Sequence, residues 1–407
     1  MKPAAVADAP PEPTSRWRPH PLDLVAVVLA ALGVGCALSG LLPAAETTAT
    51  LHRVLPLLLF LGTVIVLAEL TAVAGVFDVL ASQLAIASRG RWAALFLLCG
   101  GLATLTTLVL NLDTTAVLLT PVLLALARNL RVPAAPLAVT TVWLANTASL
   151  LLPVSNLTNL LAADRVGLTP LAYAERMALP QLAAVTVTMA LLWYVWWRRD
   201  RPAGGRFVPP KRHLPADPVL HRVALAGCLL FVAGILAGVE IGLASAVALA
   251  LVLVGFVVRS PATLRLRLVP VRLLLFVVGL FLVVQTLGQH GLDDLVAGLL
   301  GADDGALGAL RAGGTGALLS NGVNNLPAYL AGEAVLPATD HTRLLALLIG
   351  TNVGPLAAPW ASLATLLWFE RCRAAGVTVP STRFVLSSTL LAVTGTLAAV
   401  GALLLVS

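Results

Sequence analysis

The chain has 407 residues, of which 59% are hydrophobic and only 11% charged, with a formal net charge of +7. Soluble domains carry about a quarter charged residues, so this composition excludes one and indicates a polytopic membrane protein in a lipid bilayer. The basic residues sit in short loops rather than in one patch, which leaves nucleic acid off the expected partners. His20, His52, His213, His221, His290 and His341 fall in loops or at predicted span ends, with no H-E-x-x-H, and Cys36, Cys99, Cys228 and Cys372 show no CxxC spacing. No metal site, cofactor or enzyme is therefore expected.

Residues 1–20 are Pro-rich, contain Lys2, Arg16 and Arg18, and read as a disordered cytoplasmic tail. The first apolar run after it is full length and many more follow, so a cleaved signal peptide is not expected. Apolar spans are predicted at 22–42, 54–73, 134–163, 173–197, 218–239, 241–258, 271–288, 344–368 and 382–406. Two further apolar regions, 92–128 and 305–335, are split by polar turns. Each limb there is too short to span alone, so both read as re-entrant hairpins.

Orientation follows from Lys and Arg. With the N-terminus inside, the inner loops hold Arg89, Arg91, Arg128, Arg131, Arg259, Arg265, Arg371 and the basic run from Arg198 to Arg212. The outer side keeps only Arg53, Arg165, Arg176, Arg311 and Arg343. The same pattern contains an internal repeat. Phe60–Leu84 lies over Phe276–Leu300 without a gap, pairing Glu69 with Gln285, Gly75 with Gly291, and Asp78 with Asp294. Val76–Ser88 and Gly291–Leu300 are short, amphipathic and expected in the interface. A hairpin, an interrupted helix and a final span follow in each copy. The span at 218–239 connects the copies, so the second enters the membrane inverted. The expected fold is an all-α polytopic membrane protein of two inverted-topology repeats, each with a re-entrant helical hairpin and a broken transmembrane helix. Its expected units are a first repeat at 21–198, a cytoplasmic loop at 199–217, a connecting helix at 218–240 and a second repeat at 241–407.

The interrupted helices are the most informative stretches. Asn146-Thr-Ala-Ser-Leu-Leu-Leu-Pro-Val-Ser-Asn-Leu-Thr-Asn159 and Gly350-Thr-Asn-Val-Gly-Pro-Leu-Ala-Ala-Pro-Trp-Ala-Ser362 place polar groups and prolines at membrane depth. Such backbone survives only inside protein or beside a watery cavity, and two broken helices in corresponding positions point to a transporter's site. The first hairpin turns at Asn111-Leu-Asp-Thr-Thr115, the second at Ser320-Asn-Gly-Val-Asn-Asn325. Asp113 is a carboxylate in apolar surroundings, costing about 2.5–3.5 kcal/mol on insertion scales, and is a functional candidate by default. Capping of the second limb is its structural alternative. The expected proton-coupling groups are Asp113 and, more weakly, Glu69, whose repeat mate Gln285 is neutral. The expected substrate-binding groups are Asn111, Thr114, Thr115, Asn146, Thr147, Ser155, Asn156, Ser320, Asn321, Asn324, Asn325, Thr351 and Asn352. Arg311 reads as an interfacial anchor, and Cys99 as packing rather than a soft ligand.

These four polar stretches, with Ser362-Leu-Ala-Thr-Leu-Leu-Trp368, resemble the arsenical pump membrane protein family of the ion transporter superfamily, over about residues 22–406. The superfamily also holds dicarboxylate/sodium symporters and sodium/proton antiporters. The resemblance implies export of arsenite or antimonite in exchange for protons at a site of hairpin tips and broken helices. It also admits a homodimer and a cytoplasmic ATPase as partners. Such a neutral hydroxide needs amides and hydroxyls and no cationic clamp, which suits a site rich in Asn, Ser and Thr. A sodium/proton antiporter, an organic-anion carrier and a passive channel are the alternatives. Leu112 between Asn111 and Asp113, and Leu356-Ala-Ala-Pro359 in the second break, depart from the family's pattern.

Overall fold

The structure, a computed structural model, describes residues 21–210 and 212–406; the tail read at 1–20 lies outside the described residues. Every named element is helical, and the only β contact among the described residues is an isolated bridge between Arg91 and Arg206.

The first repeat opens with α1 (Pro21–Leu38), α2 (Ala44–Val73) and the short α3 (Val76–Ala87). Hairpin one comprises α4 (Trp92–Leu110), the single turn α5 (Leu112–Thr114), a π-helical segment (Thr115–Leu119) and α6 (Thr120–Leu130). The first broken helix is α7 (Ala134–Thr147) and α8 (Leu157–Arg165), joined through a 3-10 turn at Pro153–Ser155. Next, α9 (Pro170–Leu191) runs on through a π segment to Trp197, and α10 (Pro218–Leu236) leads into the second copy. There α11 (Ile241–Arg259), α12 (Val271–Leu287) and α13 (Asp293–Leu300) precede hairpin two, made of α14 (Gly305–Val323) and α15 (Asn325–Val335). The second broken helix is α16 (His341–Val353) and α17 (Leu363–Ala374), and α18 (Ser381–Leu404) closes the chain.

The elements match the expected ones in number and order, with three corrections. First, α2 starts at Ala44 rather than 54 and carries His52 inside it. Its opening turns are polar, which hid them from hydropathy, and they meet polar partners: Arg53 pairs with Glu333, and Glu46 accepts from Gln285. Second, α1 ends at Leu38 rather than 42, before a turn at Gly40 with φ 77°. Third, the first limbs are not short. Each has 19 residues, about 28 Å of helix, yet the chain still reverses after them. The Thr107 and Thr115 hydroxyls lie 3.1 Å apart, whereas eight residues of continuous helix would separate them by about 12 Å.

The repeat register is visible in the backbone. Gly75 and Gly291, paired in sequence, both take positive φ (73° and 103°) where a long helix turns into a short one. Only glycine adopts this geometry without strain. The copies are inverted. Hairpin one is anchored at the Trp197 end of α9, where Trp92 Nε1 donates to Trp197 O at 2.7 Å and Phe207 N donates to Gly90 O at 3.0 Å. Hairpin two is anchored beside the opposite end, where Arg165, five residues before α9, donates to Leu336 O at 3.1 Å. The helix from Pro170 to Trp197 has 28 residues, about 42 Å, so the two bases lie on opposite faces.

Packing interlocks the copies. The core around hairpin one contains α7 and Trp368 of α17, whose indole donates to Ala138 O at 2.7 Å. The core around hairpin two contains α16 and, from the other broken helix, Leu161 and Ala162 of α8. Each hairpin thus packs on its own repeat's first half-helix and the other repeat's second. Where α14 meets α16 the backbones touch: a Cβ on Gly350 would sit 2.0 Å from Gly313 O. Outside this block α1 packs on α12, and α2, α10 and α11 pack together, with Thr63 and Ser245 hydroxyls 2.7 Å apart. These helices form a frame.

Candidate functional site

Four helix N-termini converge at the centre. They belong to the second limbs of both hairpins, capped by Asn111 and Asn324, and to α8 and α17, preceded by Asn156 and Ser362. Unpaired N–H groups and the helix dipole make each end electropositive. The two tip asparagines share one unusual conformation, with φ 122° and 119°. Both side chains cap the limb that follows: Asn111 Oδ1 accepts from Thr114 N at 2.8 Å, Asn324 Oδ1 from Leu326 N at 3.4 Å. Matching the two tips aligns Asp113 with Leu326 and Leu112 with Asn325.

Between these ends lies a cavity of about 40 Å³, room for very few water molecules. It is lined by Asn111, Asp113, Asn156, Asn324 and Asn325, with Leu112, Phe60, Phe276, Leu326 and Leu363 among its apolar wall. Among the described residues that line it, Asp113 alone is ionisable. No hydrogen bond or ion pair from a described residue reaches the Asp113 carboxylate. A larger, mostly apolar cavity of about 770 Å³ begins at Asp113, Thr114 and Asn324 and reaches Glu69, Arg272 and Arg371. Another of about 560 Å³ lies toward the other face, with His52, Arg53, Asp164 and Glu240. Phe60 lines both this cavity and the central one, and its repeat mate Phe276 lines both the central and the largest. Two repeat-related rings therefore wall the central cavity on its two sides. Phe60 is buried and stacked on Phe231 at 6.4 Å, while Phe276 is only partly buried. The centre is open toward the Glu69 side.

The remaining residues singled out in the sequence are placed around this centre rather than in it. Asn352 is the hub between the two breaks. Its Oδ1 accepts from Asn156 Nδ2 at 3.0 Å and Thr158 Oγ1 at 2.7 Å, and its Nδ2 donates to Asn159 Oδ1 at 2.6 Å. Asn321 braces the second break by donating to Gly354 O at 2.8 Å and accepting from Ala357 N and Ala358 N. Ser155 ties the first break to hairpin one through Leu108 O at 3.1 Å. Thr115 donates to Asn111 O, Ser320 to Ala317 O and Thr351 to Leu348 O, while Thr147 accepts from Thr188. Asn146 is buried, donating to Val142 O, and its Oδ1 has no partner. Glu69 is half-buried in the large cavity, away from the tips. Of the thirteen expected binding residues, four line the central cavity, and Thr114 lines the large one beside it. No cysteine lines either, and no metal-holding cluster of His, Cys, Asp or Glu occurs among the described residues. Arg311 bonds Asp303 and the Leu299 and Gly298 carbonyls at the base of hairpin two, as an anchor would.

A family model described as citrate transporter matches residues 16–368. The arsenical pump membrane protein of Escherichia coli (strain K12) is 31% identical over 327 residues, covering 75% of this chain and 76% of its own. The chain belongs to the arsenical pump membrane protein and citrate transporter families. Other members include the arsenical pump membrane protein of Yersinia enterocolitica, 31% identical over 334 residues, and the putative one of Bacillus subtilis (strain 168), 26% identical over 337. Among solved structures, the Alcanivorax borkumensis YdaH transporter superposes with a TM-score of 0.58 over 94% of this chain and 97% of that one, at 14% identity. That likeness is one of fold. As a family member the chain is a multi-pass membrane transport protein, in keeping with the seven helices among the described residues that are long and apolar enough to cross a bilayer.

Two features escaped the sequence reading. Glu333 is a buried carboxylate paired with Arg53 at 2.7 Å, and Phe60 with Phe276 separates the cavities. The phenylalanines were in the aligned repeat, where their pairing was the available signal. Glu333 had none, because its partner is remote in sequence.

Proposed function

We propose that the chain is a secondary active transporter of the plasma membrane that exports arsenite and antimonite in exchange for protons, with Asp113 as the coupling carboxylate. The observation that carries this is Asp113, the one ionisable group among the described residues of a small amide-lined cavity onto which four helix N-termini converge. A trivalent metalloid hydroxide is neutral near pH 7 and offers hydroxyls to Asn111, Asn156, Asn324 and Asn325. Asp113 gives up its proton as substrate arrives and regains it after release, so metalloid and proton occupy the site in turn. Glu69 is a secondary candidate in the wide cavity. Thr114, Thr115, Asn146, Thr147, Ser155, Ser320, Asn321, Thr351 and Asn352 support the site by fixing the tips and breaks.

In this reading the N-terminus and residues 199–217 are cytoplasmic, because the opposite orientation would export the basic run from Arg198 to Arg212. The Glu69 side is then the inner side, and the conformation faces inward. Repeats at 21–198 and 241–407, joined by the helix at 218–240, are the units that exchange roles between inward- and outward-facing states. A second copy of the chain and a cytoplasmic ATPase are further partners, tested by mass determination in detergent and by pull-down of the ATPase.

The citrate transporter model favours a second reading, uptake of an organic anion. Arg272 and Arg371 in the wide cavity would attract one. The central cavity opposes it, because a carboxylate substrate would meet Asp113 with no cation beside it. Expression in a host stripped of its own exporters decides between them. Raised arsenite and antimonite tolerance is expected; unchanged tolerance with citrate uptake would replace the proposal by the second reading.

A further inference from the structure

Glu333 lies on α15, far along the limb from the Asn324 tip, and is 2% exposed. Its Oε1 sits 2.7 Å from Arg53 Nη2 of α2, a close ion pair. Arg165 of α8 reaches the same turn, donating to Leu336 O at 3.1 Å and approaching Glu333 O at 3.4 Å. A carboxylate this buried is retained as an ion only while a cation faces it. Both Glu333 and Arg53 open onto a cavity of about 330 Å³ that also holds Glu46, Arg165 and Asp293.

The other charged and titratable groups around α15 are accounted for. Asp164 and the buried hydroxyls of Tyr329 and Tyr173 complete the surroundings. Arg343 of α16 is turned to the Leu300 and Gly301 carbonyls, Arg311 of α14 to Asp303, and His290 to Thr286 O. Arg53 is therefore the cation in direct contact with Glu333, with Arg165 acting on it from further away. The pair joins two bodies: α2 belongs to the frame, α15 to the hairpin block.

We propose that Glu333 is a second proton-binding site, on the membrane face opposite the open side of Asp113, and that its protonation releases Arg53 and unties hairpin two from the frame. In the ionised form the pair holds the inward-facing arrangement. Proton uptake from the outer face removes the attraction, Arg53 turns to the cavity, and the block is free to move. The transport reading above supplies the direction of the proton. The lock itself is read without any substrate, so it stands or falls independently of what is carried.

The test uses the full-length chain, freed of its four cysteines, with a reporter cysteine at Val323, an exposed position in the large cavity. Maleimide labelling of the detergent-solubilised protein is followed between about pH 8 and about pH 5, a range that brackets carboxylates displaced upward by burial, with rates corrected for a denatured control. Labelling of the parent is expected to fall several-fold as the pH drops. Glu333→Gln and Arg53→Gln should label slowly at both pH values, and the exchanged pair Arg53→Glu/Glu333→Arg should regain the pH response. Asp303→Asn, at the base of hairpin two, should keep it, which separates Glu333 from another carboxylate paired to arginine on the same hairpin. A parent without pH response, or a Glu333→Gln variant that follows the parent, would overturn the proposal. If Glu333→Gln does not fold, Arg53→Gln and the exchanged pair decide the matter in the same way.

Discussion

At the first break, Asn156, Thr158 and Asn159 reach across to Asn352 and satisfy one another. At the second, the repeat counterparts are Ser362, Ala364 and Thr365, with Asn146 in the place of Asn352. There the Asn146 Oδ1, Ser362 Oγ and Thr365 Oγ1 atoms are all buried and all without hydrogen-bond partners. The second break is instead tied to its hairpin, through Asn321 to Gly354, Ala357 and Ala358, and through Asn324 to Trp360 O at 3.0 Å. One junction is a saturated knot between repeats. The other follows its hairpin tip. Pseudo-symmetry thus copies the backbone while the polar side chains differ, with a carboxylate at tip one and the bracing amides at tip two.

The contrast is broken most severely at the hub. Asn352→Ala leaves several buried amide and hydroxyl groups without partners, so a loss of about 2–4 kcal/mol is expected in detergent unfolding. Ser362→Ala removes a hydroxyl that already has no partner and should stay within about 0.5 kcal/mol of the parent. Equal losses in the two variants would mean that the breaks are equally braced.

The tips should respond less, and alike. Asn111→Ala and Asn324→Ala each lose a cap and force an alanine to φ near 120°, together about 1–3 kcal/mol. Glycine at either position relieves the strain and loses only the cap, a few tenths of a kcal/mol. An alanine variant no worse than glycine would show that the tip backbone is not held in this conformation.

The smallest effect is expected at the joint between repeats. Asp217 caps α10 and pairs with Arg259 at 2.6 Å, and that hydrogen bond holds its carboxyl below the usual range. A depressed folded value stabilises above the ordinary carboxylate range near about 3.9 and is lost as pH falls through the folded value. Asp217→Asn should melt slightly below the parent at neutral pH, with the difference vanishing in strong acid. A difference that grows on acidification would contradict the sign.

Much of this was legible because membrane depth penalises polarity: Asn111, Asp113, Asn156 and Asn352 stand out against leucine and alanine. Gly75 and Gly291, paired in the sequence repeat, both stand at joints of positive φ. Distances across the fold were not legible. Nothing in the sequence separates Asn352, consumed by the first break, from Asn325, which faces the cavity. Glu333 and Arg53 stand 280 residues apart in the sequence, and only folding brings them within 2.7 Å. The polar start of α2 was lost for the same reason, its partners lying on α12 and α15.

The central claim is that Asp113 couples proton to substrate. Proteoliposomes loaded with arsenite, with Asp113→Asn beside the parent, test it by recording proton entry and metalloid exit together. The account predicts that the parent moves both and that Asp113→Asn, still folded by its melting curve, loses proton entry and the response to an imposed pH gradient. Full proton-coupled exit through Asp113→Asn would contradict it.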